Sequence, residues 1–114
     1  MTRCDAGDIV LVRFPFTDLS TTKKRPAVIL SPGAYTDRFG DVVLMPLTGR
    51  AEQESSLALS HWQASGLRKP TWVKPIIGTL SAGLIERRLG RLVDDDEQCI
   101  RAALAMLLAA RWIR

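Results

Sequence analysis

Apolar residues in this chain come in short runs separated by polar stretches marked with Gly and Pro, and the pattern changes to a helical period only near the C-terminus. Ile9 to Phe14 and Ala27 to Leu30 are short, rich in β-branched residues and bounded by turn formers, which predicts two neighbouring buried strands. Pro15 has no N–H to donate, so the first strand is expected to end or bulge there. Pro32-Gly33 stops the second, and Tyr35 to Gly40 reads as a polar connection to a third strand over Asp41 to Pro46, with Thr48 just past its end. Gly49 to Ser56 is a polar loop, and Ser55 to Leu59 a short strand. His61 to Gly66 reads as one helical turn closed by Gly66. Ile76 to Leu80 and Leu89 to Val93 are further strands, with a single turn within Ser81 to Arg88. Pro70 and Pro75 assign the segment they bracket to a sheet edge.

The final element has the clearest period. Ile100, Ala103, Leu104, Leu107 and Leu108 form one apolar stripe. Asp94 is placed to N-cap this helix with Glu97 three residues on, and Arg111 and Arg114 to complement its C-terminal dipole. The stripe predicts packing across an end or face of the sheet. Trp112 and Ile113 extend the apolar character, which fits either a dimer or partner contact or simple core burial.

At 114 residues and 46% hydrophobic, the chain is sized for one domain, residues 1–114. Many short strands with one terminal helix predict a mainly β, α+β architecture built on a small, strongly bent antiparallel sheet or barrel. The formal charge of +4 is compatible with a nucleic-acid binder and equally with an ordinary basic protein. Cys4 and Cys99 lack C-x-x-C spacing, and one His leaves too few ligands for an ordinary zinc site, so no metal or other cofactor is expected. With neither a signal-peptide run nor an apolar stretch long enough to span a membrane, the expectation is a cytoplasmic protein with no membrane association.

Several residues carry candidate chemistry. Lys23, Lys24 and Arg25 end the polar loop Thr17 to Lys24, and Pro26 restricts Arg25 to extended geometry. A held guanidinium suits a phosphate-bearing ligand, because its planar fork matches phosphate oxygens in pairs. Lys69-Pro70-Thr71-Trp72-Val73-Lys74 mixes cations with an aromatic, suited to following a nucleic-acid backbone while stacking on a base; the alternative is a core Trp72 with solvated lysines. Phe14 and Phe16 are open to the same two readings. His61 is a candidate base, because a histidine side chain can take up or release a proton in the physiological range, or a residue beside a cap. No P-loop, metal-binding His pair or nucleophile elbow is present.

Gly7-Asp8-Ile9-Val10, Phe14-Pro15-Phe16-Thr17-Asp18, the Lys-Arg-Pro-Ala-Val run at 24–28 and Pro46-Leu47-Thr48 together resemble the ordered motifs of the PemK/MazF family, toxin halves of bacterial type II toxin-antitoxin pairs. The resemblance implies an SH3-like barrel, shared with the gyrase-poison toxins, and a homodimer. It implies a sequence-selective, metal-independent endoribonuclease that cuts single-stranded RNA, mRNA included, to a 2′,3′-cyclic phosphate and a 5′-hydroxyl. Arg25 and Thr48 inherit the catalytic roles; Lys23, Lys24, Phe16, Thr17, Asp18, Lys69, Trp72 and Lys74 are the expected RNA contacts. A cognate antitoxin is implied as partner, an acidic segment of it lying in the basic groove, with operator DNA bound only together with that antitoxin. The chain departs from the family pattern in having Lys74 and Pro75, and Ser20, Thr21 and Thr22, where some relatives carry carboxylates, and Gly49 where Ser often follows the Thr. Two other readings fit these residues: a non-catalytic barrel that binds a protein target, and a nucleic-acid-binding module without cleavage.

Overall fold

The computed structural model describes residues 4–13, 24–51 and 55–113. Six strands run β1 (Asp8–Arg13), β2 (Lys24–Ile29), β3 (Asp41–Thr48), β4 (Trp72–Val73), β5 (Gly78–Ser81) and β6 (Ile85–Arg91). They form one antiparallel sheet in the order β4-β3-β2-β1-β6, with β5 also paired to β3. Among the described residues the ladder does not close, since no pairing joins β6 to β4 or β5.

The central strands are continuous apolar runs because both faces of the sheet are covered. Ile9, Val28, Met45 and Leu47 pack with Leu57, Leu59, Val73, Leu92, Cys99 and Ala103 on one face. Their alternates Val10, Val12, Ala27, Ile29, Val42 and Leu44 pack with Cys4 and Leu80 on the other. Cys4 and Cys99 thus belong to different clusters and form no disulfide with each other.

β3 runs past Pro46 to Thr48 and does not stop at the proline. It pairs with β5 from Asp41 to Leu44 and with β4 at Leu47 and Thr48. Pro46, with no N–H for a ladder, falls in the gap where the strand changes partner. β4 is an edge strand, as Pro70 and Pro75 predicted.

Further expectations are corrected. Residues 33–39 form a helix, α1 (Gly33–Phe39), where a polar connection was expected; Gly40 caps it with its N–H on the Thr36 carbonyl, and Tyr35 and Phe39 meet one turn apart at 4.9 Å. Ser55–Leu57 is a 3-10 turn, and the expected strand is reduced to one bridge between Ala58 and Trp72. The C-terminal helix, α2 (Glu97–Leu107), begins after a 3-10 turn at Asp94–Asp96, so Asp94 is not its cap.

The acid that the fold uses there is Asp96. It is buried, and its carboxylate accepts from the backbone N–H of Ser60 at 2.9 Å and of His61 at 2.8 Å. Committing both oxygens to another segment ties the 60–66 turn to the start of α2. That turn closes at Gly66, whose φ of +91° is in the left-handed region and where a Cβ would strike the Leu89 carbonyl oxygen. The helix buries Cys99 and Ala103 and packs Ile100 and Leu104 on the sheet, while Leu107 is exposed. Arg111 lies in a separate 3-10 turn beyond the helix, so it is not in the last turn. Trp112 is 71% exposed and Ile113 40%, which rules out core burial for both. No described helix is long and apolar enough to cross a membrane.

Candidate nucleic-acid interface

The Gly7-Asp8 motif is structural. Asp8 is buried, and its carboxylate accepts from Arg91 at 2.9 Å and from the Asp5 N–H at 2.8 Å, with Arg88 at 3.3 Å. The Gly7 N–H donates to the Ile29 carbonyl and the Gly7 carbonyl accepts from Leu92, joining the start of β1 to the end of β2 and to the residue after β6. These contacts hold β1, β2 and β6 in register. The start of β2 and the end of β3, at the opposite end of the sheet, then carry the candidate site.

In β2–β3 the register pairs Ala27 with Pro46 and Val28 with Met45. Carried two residues further, the same register sets Arg25 opposite Thr48. Both residues line a groove of about 600 Å³ together with Leu11, Lys24, Pro26, Leu47, Gly49, Arg68, Lys69 and Arg87. Consecutive residues of β2 and of β3 take part, so the groove crosses the strand ends and is not confined to one face. The Thr48 hydroxyl oxygen accepts from the Arg50 N–H at 3.1 Å, leaving its own proton available to donate. The Thr71 hydroxyl donates to the Lys69 carbonyl at 2.8 Å, which fixes the segment carrying Lys69.

The groove lining contains five cationic side chains and, among the described residues, no carboxylate. A concave surface of one charge sign concentrates the opposite ion. Four of the five, Arg25, Arg68, Lys69 and Arg87, make no ion pair among the described residues. Lys24 faces Glu86 Oε2 at 2.9 Å, and Arg13 Nε donates to Oε1 of the same carboxylate at 2.7 Å. The Lys24 contact first, then that with Arg13, holds the Glu86 carboxyl below its ordinary range.

Of the residues singled out from the sequence, Arg25, Thr48, Lys24 and Lys69 come together here. Trp72 is half-buried in β4, paired with Thr48 in register but outside the groove lining. Lys74 is exposed beyond β4 and also outside it; its N–H donates to the Pro46 carbonyl. Phe16, Thr17, Asp18 and Lys23 lie outside the described residues, as do Phe14 and Ser20 to Thr22. His61 is turned toward Asp95 and Asp96 at 3.9 and 3.7 Å, away from the groove lining.

Arg68 and Arg87 were missed. Arg68 directly precedes Lys69, and Arg87-Arg88 is a basic pair inside a strand, where neighbouring side chains diverge. Arg88 goes to Asp8 and Arg87 to the groove. The sequence pattern starts the last strand at Leu89 and leaves this pair in the preceding turn segment, whereas β6 starts at Ile85; strand alternation becomes a signal only once that start is known.

The geometry defines a small antiparallel β-protein whose basic groove, laid across its strand ends, is suited to a polyanion. The chain belongs to the PemK-like, MazF-like toxins of type II toxin-antitoxin systems, whose family pattern matches residues 5–108. Solved structures agree in fold. A chain of a MazE-MazF crystal structure from Deinococcus radiodurans superposes with a TM-score of 0.72 at 26% identity, covering 96% of this chain and 98% of that one. An endoribonuclease in complex with its cognate antitoxin, from a mycobacterial species, gives 0.67 at 20% identity over 93% of each chain. Mycobacterium tuberculosis toxin MazF-mt6 gives 0.71 at 19% identity, covering 88% of this chain and 95% of that one. Among curated protein sequences none matches this chain.

Proposed function

We propose that this toxin is a sequence-selective endoribonuclease that cleaves single-stranded RNA without a metal ion. The observation that carries this reading is the groove, which gathers Arg25 and Thr48 with further cations and no described carboxylate. In the reaction the substrate's 2′-oxygen attacks the adjacent phosphorus, the bond to the 5′-oxygen breaks, and a 2′,3′-cyclic phosphate and a 5′-hydroxyl result. Arg25 stabilises the charge that builds on the phosphorane oxygens; a guanidinium is too weak an acid to serve as proton donor. The Thr48 hydroxyl donates to a phosphate oxygen or orients the 2′-hydroxyl. Arg68, Lys69 and Arg87 hold neighbouring phosphates. The antitoxin partner is an acidic chain segment competing for the same groove, the toxin acts as a homodimer, and operator DNA is bound only jointly with the antitoxin.

The test is incubation of the purified protein with a long, weakly structured RNA in EDTA, with mapping of cut sites and end groups, beside Arg25→Ala. Discrete EDTA-resistant cuts ending in cyclic phosphate, absent from the variant, are expected. Cutting by Arg25→Ala at the parent rate would sink the mechanism. The lining's lack of any described carboxylate or histidine favours, as second reading, a nucleic-acid-binding module without cleavage. That reading predicts salt-sensitive RNA binding and intact RNA.

A further inference from the structure

Glu86 owes its position to an irregularity in β6. The ladder to β1 pairs Leu11 with Arg87 but Val12 with Ile85, which leaves Glu86 as the extra residue of a bulge. A bulge lets two successive residues oppose a single partner and re-aims their side chains. Glu86 stands between the Leu11–Arg87 and Val12–Ile85 pairs, and Leu11 and Arg87 both line the groove.

The Glu86 carboxylate is thereby brought against Arg13 and Lys24, which are direct cross-strand partners. Two like charges in that position repel, and a carboxylate bridging them removes the repulsion. The same carboxylate competes for Lys24 with any other anion. A phosphate oxygen and a carboxylate oxygen are held by an ammonium through the same short, charge-assisted contact.

We infer that Glu86 sets the affinity of the groove for RNA: its carboxylate stands at Lys24 in the place of a backbone phosphate, and RNA must exchange with it to gain that contact. The inference rests on the groove being the RNA-binding surface. Bound to Glu86, Lys24 adds little to the hold on RNA; released, it adds one phosphate contact.

The experiment measures binding of a fluorescent single-stranded RNA made uncleavable by 2′-deoxy substitution, at about 50 and about 200 mM salt, a range over which phosphate contacts weaken strongly. The proteins are the parent, Glu86→Gln, Lys24→Met, the double variant and Glu97→Gln, which removes one negative charge from α2, outside the groove lining. Circular dichroism melts check that each folds. Glu86→Gln is expected to bind at least about threefold tighter at the lower salt, and to lose about threefold of that advantage at the higher, as one added single-strand phosphate contact steepens the salt slope by about 0.7. The gain is expected to vanish in the Lys24→Met background and to be absent from Glu97→Gln.

Unchanged or weaker binding by Glu86→Gln, a gain that survives Lys24→Met, an equal gain from Glu97→Gln, or no RNA binding by any of the proteins would each overturn the inference. Cleavage of natural RNA is scored separately. A parent that binds, shows the Glu86→Gln gain and cuts nothing keeps this inference and removes the nuclease reading. A parent that cuts, while Glu86→Gln binds no tighter than it does, keeps the nuclease reading and removes this inference.

Discussion

The Lys69 side chain lies across Gly49: a Cβ at position 49 would stand 2.8 Å from its Nζ. Gly49 follows Thr48 directly and lines the same groove, so the absence of a side chain there gives the Lys69 stem room to cross the groove lining. Gly49→Ala should leave the fold intact, because only the far end of a flexible side chain has to yield, and should slow RNA cleavage about tenfold, or about 1.4 kcal/mol of barrier. Single-turnover rates check this, with Gly49→Ala repeated in Lys69→Met. The glycine substitution should cost nothing more there; a full additional tenfold would show that Gly49 acts otherwise than through Lys69.

Arg25 is exposed at the start of β2, paired with Val12 in register, and contributes little to the core. Arg25→Ala should therefore keep the parent's melting temperature while losing about 10²–10³ in cleavage rate, the usual effect of removing one preorganised donor from a transition-state anion. Thr48→Val, which loses a neutral hydroxyl, should cost less, about tenfold. Unchanged kinetics for Thr48→Val would remove that residue from the site.

Asp96 is buried and holds two backbone N–H groups of the 60–66 turn. Asp96→Ala should destabilise the protein by about 1–3 kcal/mol, since two backbone donors lose their acceptor. Asp96→Asn, which keeps one carbonyl acceptor, should cost less. Urea unfolding of the three proteins checks the order, and equal stability of parent and Asp96→Ala would contradict it.

The Glu86 carboxyl titrates below its ordinary range because Lys24, and then Arg13, hold its charged form. A carboxyl whose folded pKa lies below its unfolded value of about 4.3 contributes stability above that value and loses it as pH falls through the folded pKa. Glu86→Gln should therefore melt below the parent at neutral pH, and the gap should close at pH values below the folded pKa. Melting both proteins across the acid range tests the sign: a gap that widens toward acid would refute the assignment.

Much of the strand plan was legible because the central sheet is buried on both faces, and such strands announce themselves as short β-branched runs. Ile9 to Val12, Ala27 to Ile29 and Val42 to Met45 all sit where the pattern put them. The amphipathic stripe located α2, and Pro70 and Pro75 located the edge strand. Arg25 and Thr48 were marked by motif and by position at strand ends, and the register brings them into one groove. α1 went unread because a two-turn helix with exposed Phe39 buries too little for a period to stand out.

Local chemistry alone determined this much: which segments extend, where they turn, and which cations lie next to a held backbone. Partner choice belonged to the tertiary structure. Asp94 and Asp96 are equally plausible helix acids by sequence, yet Asp96 serves Ser60 and His61, 35 or more positions away. Arg87 and Arg88 are neighbours with identical side chains; the sheet sends one to the groove and the other to Asp8. Lys24 looked like a free phosphate contact until a bulge in β6 brought Glu86 against it. Each of these depends on how distant segments pack together, for the last two on strand register and a ladder that slips by one residue, which is settled by the whole fold at once and not by any short stretch of chain.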